Sequence, residues 1–352
     1  MKLNVNLGEK SYEIFIERGV LRRAADLIAE VFHGKKIMII SDDRVYGYYG
    51  EVLKEQLQTK WECYEAVVPH GEASKSMAIL PEIYGKLLQA KLSRSDLIVA
   101  LGGGVLGDMA GFAAATYLRG IPFIQIPTSL LAQVDSSVGG KVAVDLKEGK
   151  NLVGAFYQPK LVLIDPDVLS TLPKRYINDG MGEVIKYGCI KDRGLFDILK
   201  KARSFEGLGE ELTGVIARCV DIKRQIVEED QYDTGERMLL NFGHTLGHAV
   251  EQKFAYERES HGEAVAVGMY QITKISEKKG MTEEGTAEEL RKVLESYDLP
   301  ISAGVKMKEL KAAMMLDKKN LNDRLQIILI KKMGESFIFP TDVAFFEDDI
   351  TV

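Results

Sequence analysis

Cysteine is scarce, and the three that occur, Cys63, Cys189 and Cys219, are odd in number, far apart and without CxxC spacing. That pattern argues against a disulfide framework and a thiolate metal site, and it fits a reducing compartment. Basic excess is also lacking. The 46 Lys and Arg stand against 52 Asp and Glu, a net charge of -6, so no basic stripe calls for nucleic acid or an acidic membrane. An anionic small molecule would have to be met by a local cluster of cations. No apolar run reaches the roughly 18 residues that span a bilayer. The N-terminus alternates apolar and polar residues with no charged stretch leading into an apolar one, so a signal peptide is not expected. A soluble, cytoplasmic protein is the expectation. Internal repeats and low-complexity segments are absent too. Apolar residues, by contrast, make up 46% of the 352, enough for two cores at about 100 to 200 residues per domain.

Short β-branched runs alternate with amphipathic stretches in the first half, which predicts a parallel sheet flanked by helices. Residues 36–40 (KIMII), 63–68, 97–101 (LIVAL), 123–126 and 161–164 read as strands, and 46–58 and 77–91 as helices. After Pro173 the texture changes to helical period with scattered charge, over 179–189, 210–229, 237–253 and 262–279. A boundary falls between about 170 and 178, giving domains 1–174 and 175–352.

Gly102, Gly104 and Gly107 stand at GxGxxG spacing directly after the LIVAL run and ahead of a small-residue helix over 108–117. Glycines there let backbone approach a pyrophosphate whose charge then sits at a helix N-terminus. The same glycines also suit a tight strand-to-helix turn packed closely on its sheet. The acid that a Rossmann unit carries about 20 residues further on is missing from 121–127. An acid does end an earlier strand, at Asp42, where it can accept from ribose hydroxyls or cap a following helix.

Of five histidines, three fall within 18 residues: His244, His248 and His261. His244 and His248 are four apart, so on a helix they share a face. Imidazole nitrogen with carboxylate oxygen is a donor set that binds Zn²⁺ well, and Glu183 offers the oxygen. Four candidates exceed the three protein ligands of an open catalytic site, so one histidine has another task. The plain alternative is a set of polar residues near helix ends. Cations gather in the same region of sequence space: Lys141, Lys150, Lys186, Lys223 and Arg237 lie close to glycines, asparagines or the histidine helix, and 317–320 (DKKN) adds more. Gly139-Gly140-Lys141 and Gly149-Lys150-Asn151 read as flexible backbone beside a cation, suited to phosphate oxygens.

Taken together, 71–75 (GEASK), 102–108 (GGGVLGD), 127–141 (PTSLLAQVDSSVGGK), 149–152 (GKNL), 183–188 (EVIKYG), 241–244 (NFGH) and 261–266 (HGEAVA) resemble the motifs of the 3-dehydroquinate synthase family, within the sugar-phosphate cyclases. The resemblance runs from about Lys36 to Lys319 and keeps the family's order. It implies an α/β N-terminal dinucleotide-binding domain with a Rossmann-like parallel sheet, followed by a mainly α-helical metal- and substrate-binding domain. NAD⁺ is implied at Asp42, Glu72, Lys75, Gly103, Gly104, Val105, Asp108, Thr128, Ser129 and Thr171, with Lys141 and Lys150 beside it. A divalent metal, Zn²⁺ or Co²⁺, is implied on Glu183, His244 and His261, which frees His248 for the substrate. Lys141, Asn151, Lys186, Lys223, Arg237, Asn241 and one of Lys318 and Lys319 match substrate-binding positions. Arg119 matches an arginine that reaches the phosphate across a dimer interface, so a homodimer is implied. Asp135 and His248 are the expected proton relays. Two positions depart from the family pattern: Gly182 stands where alanine is common, and Asp145 where asparagine is common.

The activity so implied is cyclisation of a phosphorylated seven-carbon sugar acid with loss of phosphate, NAD⁺ being reduced and reoxidised within each turnover. Cyclases that make inososes bind no substrate carboxylate and would be expected to lack the arginine and asparagine that this chain has at 237 and 241. A metal-dependent polyol dehydrogenase of the glycerol-dehydrogenase type is the main rival, and it would release NADH stoichiometrically. A regulator that kept the fold without activity is the other, and filled metal, cofactor and phosphate positions argue against it.

Overall fold

The β-branched runs of the first half do assemble into a sheet, because its inner runs, 37–40, 97–101, 123–126 and 161–164, are buried on both faces. In the computed structural model, which describes residues 1–233, 235–318 and 325–352, strands β1 (Lys2–Val5), β2 (Tyr12–Ile16), β3 (Lys36–Asp42), β4 (Glu62–Val68), β5 (Leu97–Gly102), β6 (Phe123–Pro127) and β9 (Leu161–Ile164) lie in the order β1-β2-β9-β6-β5-β3-β4. All neighbours pair parallel except β1 and β2. Side chains alternate across a strand, so Ile37 and Ile39 join Leu97, Val99 and Leu101 in one core while Met38 and Ile40 join Ile98 and Ala100 in the other. Helices α1 (Ala24–Val31) and α3 (Glu51–Gln58) cover the first face, and α4 (Leu80–Gln89) and α5 (Gly104–Thr116) the second. From β3 the chain places β4 on one side and β5 on the other. The strand order therefore reverses beside the carboxyl ends of β3 and β5, at Asp42 and Gly102.

This unit consists of Met1–Leu172 with Lys223–Tyr232. Two pieces of it depart from the sequence reading. The N-terminal alternation forms the antiparallel pair β1–β2. The glycine-flanked lysines, read as flexible backbone, belong to an antiparallel hairpin, β7 (Lys141–Leu146) and β8 (Gly149–Phe156). Its pairing satisfies the backbone groups that the glycines otherwise leave to solvent.

The second unit is Pro173–Ile222 with Asp233–Val352. It holds α6 (Lys174–Ile190), α7 (Arg193–Ala202), most of α8 (Leu212–Glu229), α9 (His244–Lys253), α10 (His261–Lys278), α11 (Thr286–Ser296), α12 (Met307–Lys318) and a strand pair, β10 (Leu325–Lys332) with β11 (Glu335–Thr341). The run 237–253, helical in period throughout, is broken in two. A 3₁₀ segment, Glu236–Asn241, ends before Gly243, whose φ of 81° only glycine adopts without strain, and α9 starts afresh at His244. Close helix contacts depend on missing side chains. A Cβ on Gly182 of α6 would lie 2.7 Å from the Gly262 carbonyl oxygen of α10, and one on Gly268 would overlap the carbonyl of Gly243. Among the described residues, no helix is long and apolar enough to cross a membrane.

Candidate active site

Three helices of the second unit meet around one carboxylate. Glu183 sits in the middle of α6, where α6 is buried almost without interruption, and is itself 1% exposed. His244 is the first residue of α9 and His261 the first of α10. The glycine contacts just described let α6 and α9 approach α10 closely, and Asp179, one turn before Glu183, fixes the start of α10 by accepting from Gly262 N–H at 2.5 Å. Asp179 and Gly182 thus set the distance between Glu183 and His261. An alanine at 182 would need α10 to shift, which gives the glycine a local reason.

The result is a converging donor set. His244 Nε2 lies 3.5 Å and His261 Nε2 3.4 Å from Glu183 Oε1, and ligand atoms of the three residues lie within 4.8 Å of one another. Neither carboxylate oxygen of Glu183 receives a hydrogen bond of acceptable geometry, although Lys186, one turn along α6, forms an ion pair with Oε2. A buried carboxylate without hydrogen bonds, facing two imidazole nitrogens, fits a divalent cation of the zinc type. The Nδ1 of His244 is 3.2 Å from the Phe242 carbonyl oxygen, which only accepts, so that proton is on Nδ1 and the Nε2 lone pair is free. His248 stands one turn on, with ring centroids 5.3 Å from His244 and 6.1 Å from His261. Arg237 is buried in the 3₁₀ segment, and Asn241 ends it, exposed.

The charges in this group are strongly perturbed. Burial works to raise the Glu183 carboxyl, but Lys186, His244 and His261 together hold it well below the usual range. Burial lowers the His244 imidazole well below its ordinary value. Burial pushes His261 the same way, yet Glu183 and Glu251 outweigh it and hold its pKa well above the ordinary value. Without a cation, these directions favour the protonated form of His261 and the neutral form of His244. Binding a cation through His261 Nε2 must displace that proton. We expect close to one proton released per cation bound at pH 7, and weaker binding as pH falls. Calorimetric titration of metal-free protein in two buffers of different ionisation enthalpy measures this, and equal heats in both would contradict it.

In the first unit the glycine turn packs closely on its sheet. A Cβ on Gly102 would meet Leu106, and one on Gly107 would lie 2.9 Å from Gln125 Oε1 on β6, so these two allow α5 to pack on the sheet. Gly103 and Gly104 instead face Ser129 and Ser136, their Cβ positions 3.3 and 3.0 Å from the hydroxyls. Val105 follows in the first turn of α5, and Thr128 N–H donates to the Gly102 carbonyl at 2.9 Å. Asp42 caps α2 (Asp43–Val45), its Oδ1 accepting from Arg44 and Val45 N–H at 2.9 and 2.8 Å. The cap reading of Asp42 is thus realised, at the sheet's reversal point.

Lys75 joins several predicted residues, donating to Asp108 Oδ2 at 2.6 Å and to Asn151 Oδ1 at 2.5 Å. Asn151 adopts φ 58°, a left-handed conformation that asparagine tolerates, and its N–H donates to Asp145 Oδ1 at 2.8 Å. Lys150 lies 3.5 Å from Glu72, and Lys223 pairs with Asp135 at 3.0 Å while donating to its backbone oxygen at 2.7 Å. Lys141 opens β7. Thr171 exchanges a hydrogen bond with the Tyr49 hydroxyl at 2.7 Å, and Arg119 is exposed in a turn with φ 67°. Lys319 lies outside the described residues, as does the side chain of Lys318. Sequence reading missed Asp179 and Glu251. Both are acids at helical spacing from a predicted ligand, four before Glu183 and seven after His244, and that spacing was the available signal.

Known proteins resemble the chain over nearly its whole length. The family described as 3-dehydroquinate synthase N-terminal matches residues 65–179, and that described as 3-dehydroquinate synthase C-terminal matches 180–320. A 3-dehydroquinate synthase of Clostridium perfringens strain SM101 is 56% identical over 347 residues, covering 98% of this chain and 99% of that protein. Among solved structures, 2-deoxy-scyllo-inosose synthase complexed with carbaglucose-6-phosphate, NAD⁺ and Co²⁺ superposes with a TM-score of 0.88 at 26% identity, covering 98% of each chain. The 2-epi-5-epi-valiolone synthase of Streptomyces hygroscopicus, with NAD⁺ and Zn²⁺ bound, gives 0.82 at 27% identity, covering 98% of this chain and 95% of its own.

Proposed function

The chain belongs to the 3-dehydroquinate synthase family, and from that membership we propose that it converts 3-deoxy-D-arabino-heptulosonate 7-phosphate to 3-dehydroquinate and inorganic phosphate, a step of the shikimate pathway. The observation that carries the reading is the convergence of Glu183, His244 and His261 on one point. These three would hold a divalent cation, Zn²⁺ or Co²⁺, and Gly103, Gly104, Val105, Asp42, Glu72, Lys75, Asp108, Thr128, Ser129 and Thr171 would hold NAD⁺; when bound, the pair supplies a Lewis acid for a hydroxyl and a reversible hydride acceptor. The glycine turn at the head of the 13-residue helix α5, at the point where strand order reverses, supports the dinucleotide assignment.

The chain's own residues then bind and orient. Arg237 and Asn241 take the substrate carboxylate, an assignment that separates this chain from cyclases of substrates without one. Lys186 supplies a buried positive charge beside Glu183 for a substrate hydroxyl. Lys141, Lys150, Asn151 and Lys223 hold the phosphate, joined by Arg119 of a second copy if the enzyme is a homodimer. The phosphate is so held that its own oxygen takes the C6 proton before the bond from C7 to the phosphate oxygen breaks, and no separate protein base is needed. Asp135 and His248 relay protons during ring opening and the closing aldol addition. Lys318 or Lys319 adds a further cation.

The enzyme incubated with catalytic NAD⁺ and the heptulosonate phosphate is expected to release phosphate over many turnovers with no net NADH, and EDTA is expected to stop it. NADH accumulating in step with turnover would instead indicate a dehydrogenase.

A further inference from the structure

His261 presents its two ring nitrogens to two different carboxylates. Nε2 stands 3.4 Å from Glu183 Oε1, and Nδ1 stands 3.6 Å from Glu251 Oε2. Glu251 is 5% exposed and lies in α9 seven residues after His244 and three after His248, a spacing that puts all three on one side of the helix. A carboxylate at that depth is costly unless a donor or a positive charge meets it, and His261 brings one. His244 has the equivalent arrangement with a different partner, its Nδ1 facing the Phe242 carbonyl. His261, at the opening of α10, faces a side chain where His244 faces backbone.

We propose that Glu251 is a positioning residue of the cation site: it accepts the Nδ1 proton of His261 and so keeps the Nε2 lone pair directed at the point where Glu183 and His244 converge. The inference rests on the reading of Glu183, His244 and His261 as cation ligands. Chemistry of this kind is general, since a carboxylate behind a ligating imidazole fixes the tautomer and ring plane and raises the basicity of the ligating nitrogen. The same atoms suggest one competing arrangement, because His248, Glu251 and His261 also have ligand atoms within 4.8 Å of one another. A second cation there, with the first in place, would require His261 to bind through both nitrogens. The ring would then have to lose both its protons and become an imidazolate, a far more demanding state than the neutral imidazole that a single cation needs. His248 is also exposed, unlike Glu183 in the other group.

The test uses the full chain freed of metal, as wild type, Glu251→Gln, Glu251→Ala and Glu183→Gln, with circular dichroism to establish that each is folded. Zn²⁺ affinity is measured by competition with a chromogenic chelator, and the coordination sphere by the visible spectrum of bound Co²⁺. Wild type is expected to bind one cation. Glu251→Ala should bind it about 10- to 100-fold more weakly with an altered Co²⁺ spectrum. Glu251→Gln, whose amide oxygen still accepts from Nδ1, should lose less and keep the wild-type spectrum. Equal affinity and identical spectra in wild type and both folded Glu251 variants would overturn the inference and leave the three-ligand reading intact. Two cations on wild type, with one lost in Glu251→Ala, would overturn it in favour of a second site. A wild type that binds no cation, indistinguishable from Glu183→Gln, would remove the three-ligand reading and this inference with it.

Discussion

Glu183→Gln is expected to abolish cation binding and to lower kcat/KM by about a thousandfold or more, on the order of 4 kcal/mol of transition-state stabilisation. The substitution changes one oxygen for an amide group and keeps the volume, so packing around α6 is conserved. What it removes is the negative charge on which the site is built. Glu183 is buried beside Lys186, and its carboxyl is held well below the ordinary range by that lysine and the two imidazoles despite the burial that opposes this. With the charge gone, Lys186 and any cation would face each other across a neutral amide, and repulsion between them disfavours occupancy. Removing one partner of so buried a pair also leaves Lys186 uncompensated, so a loss of stability is expected too. Metal content after dialysis, phosphate release and a denaturant melt on the same preparation separate these effects. A variant that retains stoichiometric metal and near-normal turnover would end the assignment of Glu183 as a ligand.

Lys75→Met should destabilise the cofactor-free protein by about 3 to 5 kcal/mol at neutral pH. The ammonium of Lys75 is the partner of Asp108 at 2.6 Å and of Asn151 at 2.5 Å, and both charged side chains are largely removed from solvent. Burial already pushes the Asp108 carboxyl up, with Lys75 opposing it. Without Lys75 that carboxyl rises further, and the folded state takes up a proton that the unfolded state does not. Stability of the variant should accordingly improve as pH falls from 7 toward 5, since a group with a raised folded-state pKa stabilises where it is protonated. Replacing both partners, Lys75→Met with Asp108→Asn, removes both charges of the pair and should recover most of the loss. A double-mutant cycle by urea denaturation at two pH values measures both expectations, and additive losses independent of pH would contradict them.

Much of this architecture could be read from residue order. Runs such as 37–40 and 97–101 are apolar at every position, as a short strand buried on both faces is, which placed a parallel sheet in the first half. The helical second half announced itself by period. The hairpin β7–β8 did not, because its glycines, lysines and asparagine read as turn residues; antiparallel pairing makes the strands, with Val142 and Val144 joining the core. Nor did the break at Gly243. An apolar period of 3.6 continues across it, and only the contact between Gly243 and Gly268 explains why the chain turns there.

The site divides along the same line. Residue type and spacing nominated Glu183, His244, His248 and His261, because imidazole and carboxylate are the donors a zinc-type cation takes and such groupings are rare in a chain with five histidines. Order along the chain cannot say which of four candidates converge, since Glu183 and His261 are 78 residues apart and helix packing alone joins them. Nor can it tell a buried acid from a surface one. Asp179 and Glu251 look like any solvated carboxylate until α6, α9 and α10 are packed, and only then do they acquire a backbone N–H and an imidazole to hold. Local chemistry is written in the residues themselves; distance and burial exist only once glycine-lined helices have closed on one another.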